Sequence, residues 1–318
     1  VKRLLPTLVA SAVLLALVFT VTELEPQRLA DTFAALDWSG VALAFFVYAL
    51  SYVGRGIRLA ILLPGVSSVS HFTSISARHT LMAVVLPFRS GEAALPWLLH
   101  SEAARPLPEG VTTLGIIRIL DLISVAVWLL VGLALTGATD AADMAPRALG
   151  VLAVLVLGFA LLRPIAARLV GLRDGKGRLR RFLGQSAAHL ATLRTVPLVL
   201  AALTSVAAWA ATYGACWYVL QAMAAPAALG APVAELSFAQ SLIGTTGLHL
   251  SSVLPISPIA SVGTWEAGWT AGYATVGLEL DLAATSAVVS HVIILGYIAV
   301  LGGLGWLLRF APKPAAGN

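Results

Sequence analysis

The sequence predicts an all-α polytopic membrane protein, with six spanning helices and two re-entrant broken hairpins arranged as an inverted repeat. Three observations carry this prediction. Of 318 residues, 59% are hydrophobic and 11% charged, and the mean hydropathy is +0.92. Soluble domains carry about 25% charged residues, so this chain cannot cover itself with a water-compatible surface and requires lipid around most of it. Six apolar runs reach the roughly 20 residues of a bilayer crossing: 4–22, 40–62, 111–137, 146–164, 197–223 and 283–309. Two further apolar regions, 71–100 and 233–278, are interrupted near their middles by proline, glycine and charge.

The first run follows Lys2 and Arg3 and has the look of a secretory leader. It is too long for a leader's apolar region, and no small-x-small site precedes Glu23; an uncleaved first helix with a cytoplasmic N-terminus is expected. The second run carries Arg55 and Arg58, three apart and so on one face. Region 71–100 holds Arg78 in its first arm and breaks at Leu86-Pro87-Phe88-Arg89-Ser90-Gly91-Glu92. Proline removes a backbone donor and disfavours helix in the residue before it, so the helix should stop, turn and resume. Such backbone is tolerated at membrane depth only against protein or around a cavity. The run 111–137 carries Arg118 and Asp121. The single cysteine, Cys216, lies in 197–223, which excludes disulfides and cysteine metal sites within the chain. Region 233–278 breaks at Leu254-Pro255-Ile256-Ser257-Pro258 and again at Gly263-Thr264-Trp265-Glu266.

Loop charges orient these elements. The net charge of +5 is concentrated: Arg163, Arg168, Arg173, Lys176, Arg178, Arg180, Arg181 and Arg194 crowd one interhelical stretch. In a membrane protein this marks a cytoplasmic loop, and no nucleic-acid partner is expected. Segments 23–39 and 138–147 hold Glu23, Glu25, Asp31, Asp37, Asp140 and Asp143 against Arg28 and Arg147, as outside loops should. The expectation is a multi-pass protein of the cell membrane with both termini cytoplasmic. An eight-crossing version, with both hairpins spanning fully, puts the same loops on the same sides.

The order helix, helix, broken hairpin, helix occurs twice, dividing a single membrane domain (1–318) into halves 1–140 and 141–318. Ser90-Gly91-Glu92-Ala93 after the first break corresponds to Thr264-Trp265-Glu266-Ala267 after the second. Each half contains three full crossings, an odd number, so the second half is inverted. The tips, with Pro87 and Gly91 in one and Pro255, Pro258 and Gly263 in the other, then approach the midplane from opposite leaflets. Transporters built from inverted repeats bind substrate at such breaks.

An arginine or aspartate at a helix centre costs about 2.5–3.5 kcal/mol on insertion scales, so each such residue needs a partner or a cavity. Arg55 and Arg58 either snorkel to the interface or clamp a phosphate, whose oxygens match the guanidinium fork. Arg89 stands beside the start of a resumed helix, where free amides already favour an anion; its alternatives are a lipid phosphate or an ion pair with Glu92. Glu92 and Glu266 either complement helix dipoles or take up protons in a low-dielectric cavity. Ser90 and Thr264 are expected N-caps. Arg118 and Asp121 are spaced to pair on one face, with substrate contact by Arg118 as the rival. Arg78 is a candidate for an inner vestibule. His249 and His291 either contact substrate or each other or are membrane histidines held by hydrogen-bonded partners, and Trp265 is placed to pack on an acyl or isoprenoid chain.

These breaks also carry a resemblance. Leu86, Pro87, Arg89, Gly91 and Glu92 fit a Leu-Pro-x-Arg-x-Gly-Glu pattern, Arg118 and Asp121 an Arg-x-x-Asp, and Pro255, Ser257, Pro258, Gly263 and Glu266 a Pro-x-Ser-Pro-Gly-Gly-x-Gly-x-x-Glu. The chain thereby resembles the flippase-like membrane family typified by the transmembrane region of lysylphosphatidylglycerol synthases. Ile259 and Ala260 stand where two glycines usually sit, and Leu95 lies where an arginine often follows the first motif. The resemblance implies movement of an anionic amphipathic lipid (phospholipid, aminoacylated lipid or isoprenoid phosphate) through a midplane cavity. The synthases' soluble aminoacyl-transferring domain has no counterpart after the last helix, so synthase activity is not expected, and neither is a cofactor. Two alternatives are an intramembrane lipid-modifying enzyme and a membrane scaffold whose 165–196 loop docks a separate soluble enzyme. Against the first, the sequence has no His-Glu-x-x-His and no Gly-x-Ser-x-Gly, and Gly171–Gly177 lacks P-loop spacing. Gly268-x-x-x-Gly272 would permit a homo-oligomer.

Overall fold

A computed structural model of the chain describes residues 25–65, 67–86, 90–137, 139–174, 177–225, 227–251 and 259–308. The run 4–22 and the expected site and tip residues Pro87, Arg89, Pro255, Ser257 and Pro258 lie outside them. Every regular element among the described residues is helical. In chain order these are α1 (Pro26–Ala34), α2 (Trp38–Leu62), α3 (Val69–Val85), a 3₁₀ turn (Ser90–Ala93), α4 (Ala94–Glu102), α5 (Leu107–Thr136) and α6 (Thr139–Leu169). There follow a 3₁₀ turn (Val170–Asp174), α7 (Arg178–Thr192), α8 (Thr195–Gln221), α9 (Ala231–Ala234), α10 (Phe238–Ser251), a 3₁₀ turn (Ile259–Ser261), α11 (Thr264–Ala274) and α12 (Leu280–Leu307).

Five helices, α2, α5, α6, α8 and α12, are long and apolar enough to cross a membrane. They coincide with five of the six expected runs. Their ends follow local chemistry. Asp37 caps α2 by accepting the Ser39 amide at 3.0 Å. Ser68 caps α3 through the His71 amide, and α5 ends on left-handed Gly137. α6 lies at the periphery, with Leu149, Val154 and Leu157 exposed, as a lipid-facing helix should.

The two interrupted regions are hairpins. α3 and α4 have 17 and 9 residues, α10 and α11 have 14 and 11; at 1.5 Å per residue none matches the ~30 Å hydrocarbon core. Their arms pair antiparallel. Arg78 meets Glu102 while Gly91 lies on Met82 and Ala83. In the second hairpin, Gly247 and Gly244 of α10 face Gly268 and Gly272 of α11. A Cβ on Gly272 would stand 2.0 Å from the Gly244 carbonyl oxygen. The Gly268/Gly272 pair is therefore consumed by the hairpin's own packing rather than left for a second copy.

Packing between the two hairpin-containing units is reciprocal. Helices α2 and α8, which precede the hairpins, pack on each other. α5, which follows the first hairpin, packs on α10 of the second. α12, which follows the second, packs on α3 of the first. Apolar clusters lie on either side of the junction. One is built around Tyr48, Tyr52, Trp269, Tyr273 and Tyr297, the other around Leu59, Phe72, Leu98, Ile116 and Leu120.

Candidate functional site

Between those clusters lies a cavity of about 210 Å³ whose wall is about half polar. Its lining includes Arg55 and Arg58 from α2, Ser76, His79 and Thr80 from α3, Glu92 after the first break, and Arg118 and Asp121 from α5. Ser261 and Thr264 come from the second break. The two interruptions thus contribute to one chamber.

The chamber's charges are tied across elements. Asp121 Oδ1 accepts from Arg58 Nη1 at 2.6 Å and from the indole Nε1 of Trp209 at 3.0 Å. Arg58 also donates to Ser205 Oγ at 2.9 Å. Arg118 pairs with both carboxylate oxygens of Glu92 and lies 3.5 Å from Asp121. Arg55 reaches Thr80 Oγ1 at 3.5 Å and lies over the Tyr52 ring, but has no carboxylate partner among the described residues. Among the described lining residues, three guanidinium groups therefore face two carboxylates, leaving one positive charge in excess when His79 is counted as neutral. Two buried polar atoms on lining residues, Arg58 Nε and His79 Nε2, have no hydrogen-bond partner among the described residues, His79 Nε2 standing 3.8 Å from Glu92 Oε2. Buried groups seldom remain so without a ligand or water.

A second cavity of about 620 Å³ adjoins the first. Its lining shares Glu92, Arg118 and Asp121, and is otherwise Val111, Leu114, Gly115, Leu122, Val125, Trp209 and His249. The chamber thus adjoins a mostly apolar groove along α5, with Arg118 and its two carboxylates forming the common wall.

Of the expected site residues, the structure brings Arg55, Arg58, Glu92, Arg118 and Asp121 together. Arg58 does not snorkel: its side chain is 5% exposed and held by Asp121. Glu92, placed in the sequence beside Arg89, is paired with Arg118. Arg78 is turned away from the chamber. It donates two hydrogen bonds of 2.6 Å to Glu102 and lies over Trp306, tying α3 to α4 and α12. Glu266 is also absent from the chamber lining. Its Oε2 accepts the Gly263 amide at 2.6 Å and its Oε1 lies 2.6 Å from His291 Nδ1. His291 Nε2 in turn donates to the Ala260 carbonyl at 2.9 Å. Glu266 and His291 together brace the second tip from α12.

The expected cap at Thr264 falls one residue earlier. Gly263, at φ 87°, is the N-cap, and Thr264 donates to Ser261 O. Ser90 begins the 3₁₀ turn. Trp265 stacks on His291, and His249 packs against Trp209 and Tyr213, so the two histidines serve different neighbourhoods. Sequence reasoning missed His79, Trp209 and Ser205. Ser76, His79, Thr80 and Ala83 share one face of α3 at helical spacing, which was the available signal. Among the described residues, no group of three or more His, Cys, Asp and Glu is placed to hold a metal ion.

The sequence model for the lysylphosphatidylglycerol synthase transmembrane region matches residues 4–303. The chain belongs to that family. The match covers both hairpins, the chamber and the groove, so the site lies wholly inside the family's own domain. The chain is also similar to Glycosyltransferase AglD of Haloferax volcanii, at 27% identity over 95% of this chain. It spans about half of that relative's length, 54%. The family and this relative together give the protein a lipid-related role in a membrane, with enzymes among its relatives.

Proposed function

We propose that this family member moves an anionic amphipathic lipid between leaflets, as a lipid transporter or flippase. The headgroup passes through the polar chamber while the hydrocarbon tail follows the apolar groove. The observation that carries this reading is the shared wall of Arg118, Glu92 and Asp121, which places charge recognition and tail accommodation side by side. The excess guanidinium of Arg55 and the free polar atoms of Arg58 and His79 suit a phosphate, which accepts several charge-assisted hydrogen bonds. Arg89 immediately precedes the turn that bears Glu92 and adds a further cation to that part of the chain.

The reciprocal packing of α5 on α10 and of α12 on α3 supports an inverted repeat of halves 1–140 and 141–318. In that reading the hairpins are re-entrant, the basic 165–196 loop and both termini are cytoplasmic, and the chamber lies near the midplane of the cell membrane. Alternating exposure would follow from rocking one unit against the other. The test is headgroup accessibility of a labelled phosphatidylglycerol in vesicles reconstituted with the full chain. Movement above protein-free vesicles is expected for the anionic lipid and not for phosphatidylcholine. No movement under a pH gradient or membrane potential of either sign would remove the proposal.

The name of the relative favours a second reading, in which the same chamber presents a lipid to a glycosyl- or aminoacyl-transferring enzyme. It predicts that adding such a soluble enzyme yields modified lipid without headgroup movement.

A further inference from the structure

The loop that the charge pattern singled out folds into α7, and its N-terminal half is unusual. Arg178, Arg180 and Arg181 are exposed, and the guanidinium groups of Arg178 and Arg181 have no hydrogen-bond or carboxylate partner among the described residues. Beside them Leu179 and Leu183, one helical turn apart, are 71% and 47% exposed. Arginines next to bare leucines on one short helix suit the boundary between headgroups and hydrocarbon, where apolar side chains are buried and guanidinium groups meet lipid phosphates. They are poorly suited to water, which would leave both leucines solvated.

α7 is fixed in place. Ser186 Oγ donates to the Pro108 carbonyl and Thr112 Oγ1 to the Ser186 carbonyl, each at 3.3 Å, so the helix is tied to the start of α5. A cleft of about 320 Å³ separates the two, lined by Arg178, Arg181, Phe182 and Gln185 from α7 and by Leu107 and Pro108 from α5. Positions 178, 181, 182 and 185 share one helix face. Along α5, Leu107 is followed at helical spacing by Val111, Leu114 and Arg118, the last three lining the apolar groove. One row of α5 therefore runs from the basic cleft to the chamber wall.

We propose that this cleft is a separate binding site for the phosphate-bearing headgroup of an anionic phospholipid at the membrane surface. Arg178 and Arg181 hold the phosphate, and Leu179 and Leu183 sit in the adjoining acyl region. The Leu107–Val111–Leu114 row guides the tail toward the groove. The binding step stands alone; the onward path rests on the translocation reading above.

The experiment uses the full chain in phosphatidylcholine nanodiscs containing a minority of photoactivatable phosphatidylglycerol, with cross-linked peptides identified by mass spectrometry. Cross-links are expected within 107–115 and 178–185. Each basic residue near an anionic surface contributes roughly fivefold in affinity, so R178Q/R181Q should weaken labelling at these peptides on the order of thirtyfold. Both residues are exposed and unpartnered, so the variant keeps the parent's unfolding temperature. Equal labelling by a photoactivatable phosphatidylcholine would overturn the site, as would unchanged labelling in R178Q/R181Q. So would labelling confined to a copurifying acidic protein. Because the readout is binding, it is independent of whether headgroups cross the bilayer.

Discussion

Arg58 on α2 and Asp121 on α5, 63 residues apart in sequence, meet side chain to side chain at 2.6 Å in the protein interior. The pair joins the element before the first hairpin to the element after it. Through Trp209 and Ser205 it also engages α8. It is the keystone of the chamber wall.

Removing one member of a buried pair leaves the other charge uncompensated, at a cost of roughly 3–5 kcal/mol. R58M and D121L should each therefore lower the unfolding temperature of the purified protein markedly. The double variant R58M/D121L should recover most of it, because an apolar replacement of similar volume avoids the desolvation of both charges. Thermal unfolding in detergent, run as a double-mutant cycle, measures the coupling.

Arg55 has no carboxylate to release, so R55Q should leave the unfolding temperature nearly unchanged while headgroup movement of phosphatidylglycerol falls. A hydrogen bond to a charged group contributes about 1.5–3 kcal/mol, which corresponds to a loss of roughly tenfold to a hundredfold. R55K should retain part of the activity, since it keeps the charge and loses the fork. Initial rates in vesicles decide this.

Gly272 and Gly296 give a matched contrast. G272A would drive a methyl into the Gly244 carbonyl and force the α10 and α11 arms apart, whereas Gly296 on α12 faces open space. G272A is expected to destabilise by several kcal/mol, within the range of overpacked cores or above it. G296A should lie within about 1 kcal/mol of the parent. Paired thermal unfolding curves check both.

Ala260 adopts a left-handed conformation, φ 55°, in the second tip, a conformation that favours glycine. A left-handed alanine costs roughly 1–2 kcal/mol relative to glycine's freedom there. A260G should accordingly stabilise the protein, by somewhat less than that because the unfolded chain gains entropy as well. A rise in unfolding temperature is the expected observation.

Much of this was legible in the sequence because bilayer thickness and proline chemistry act locally. The apolar runs marked α2, α5, α8 and α12 to within four residues and the middle of α6, which extends seven residues further at its start and five at its end, and α3 stops at Val85, just before the break at Pro87. Partner choice was not legible, because it depends on how each helix is rotated. Arg118 and Asp121 suggested each other by spacing, yet the shorter contacts run to Glu92 and Arg58 on other elements. Arg78 and His79 are adjacent in sequence, but helical geometry turns them about 100° apart, one to Glu102 and one to the chamber. Gly268 and Gly272 permitted close packing by a second copy, and only the position of α10 shows them consumed within the hairpin.

If lipid moves as proposed, the two broken hairpins that line one chamber must move relative to each other. In a C216A background, A83C and S261C place one thiol in each hairpin on the chamber wall. Cross-linking of this pair in membranes should proceed readily, arrest phosphatidylglycerol movement, and be reversed by reductant. A pair that resists cross-linking, or full movement with the link intact, would contradict the account.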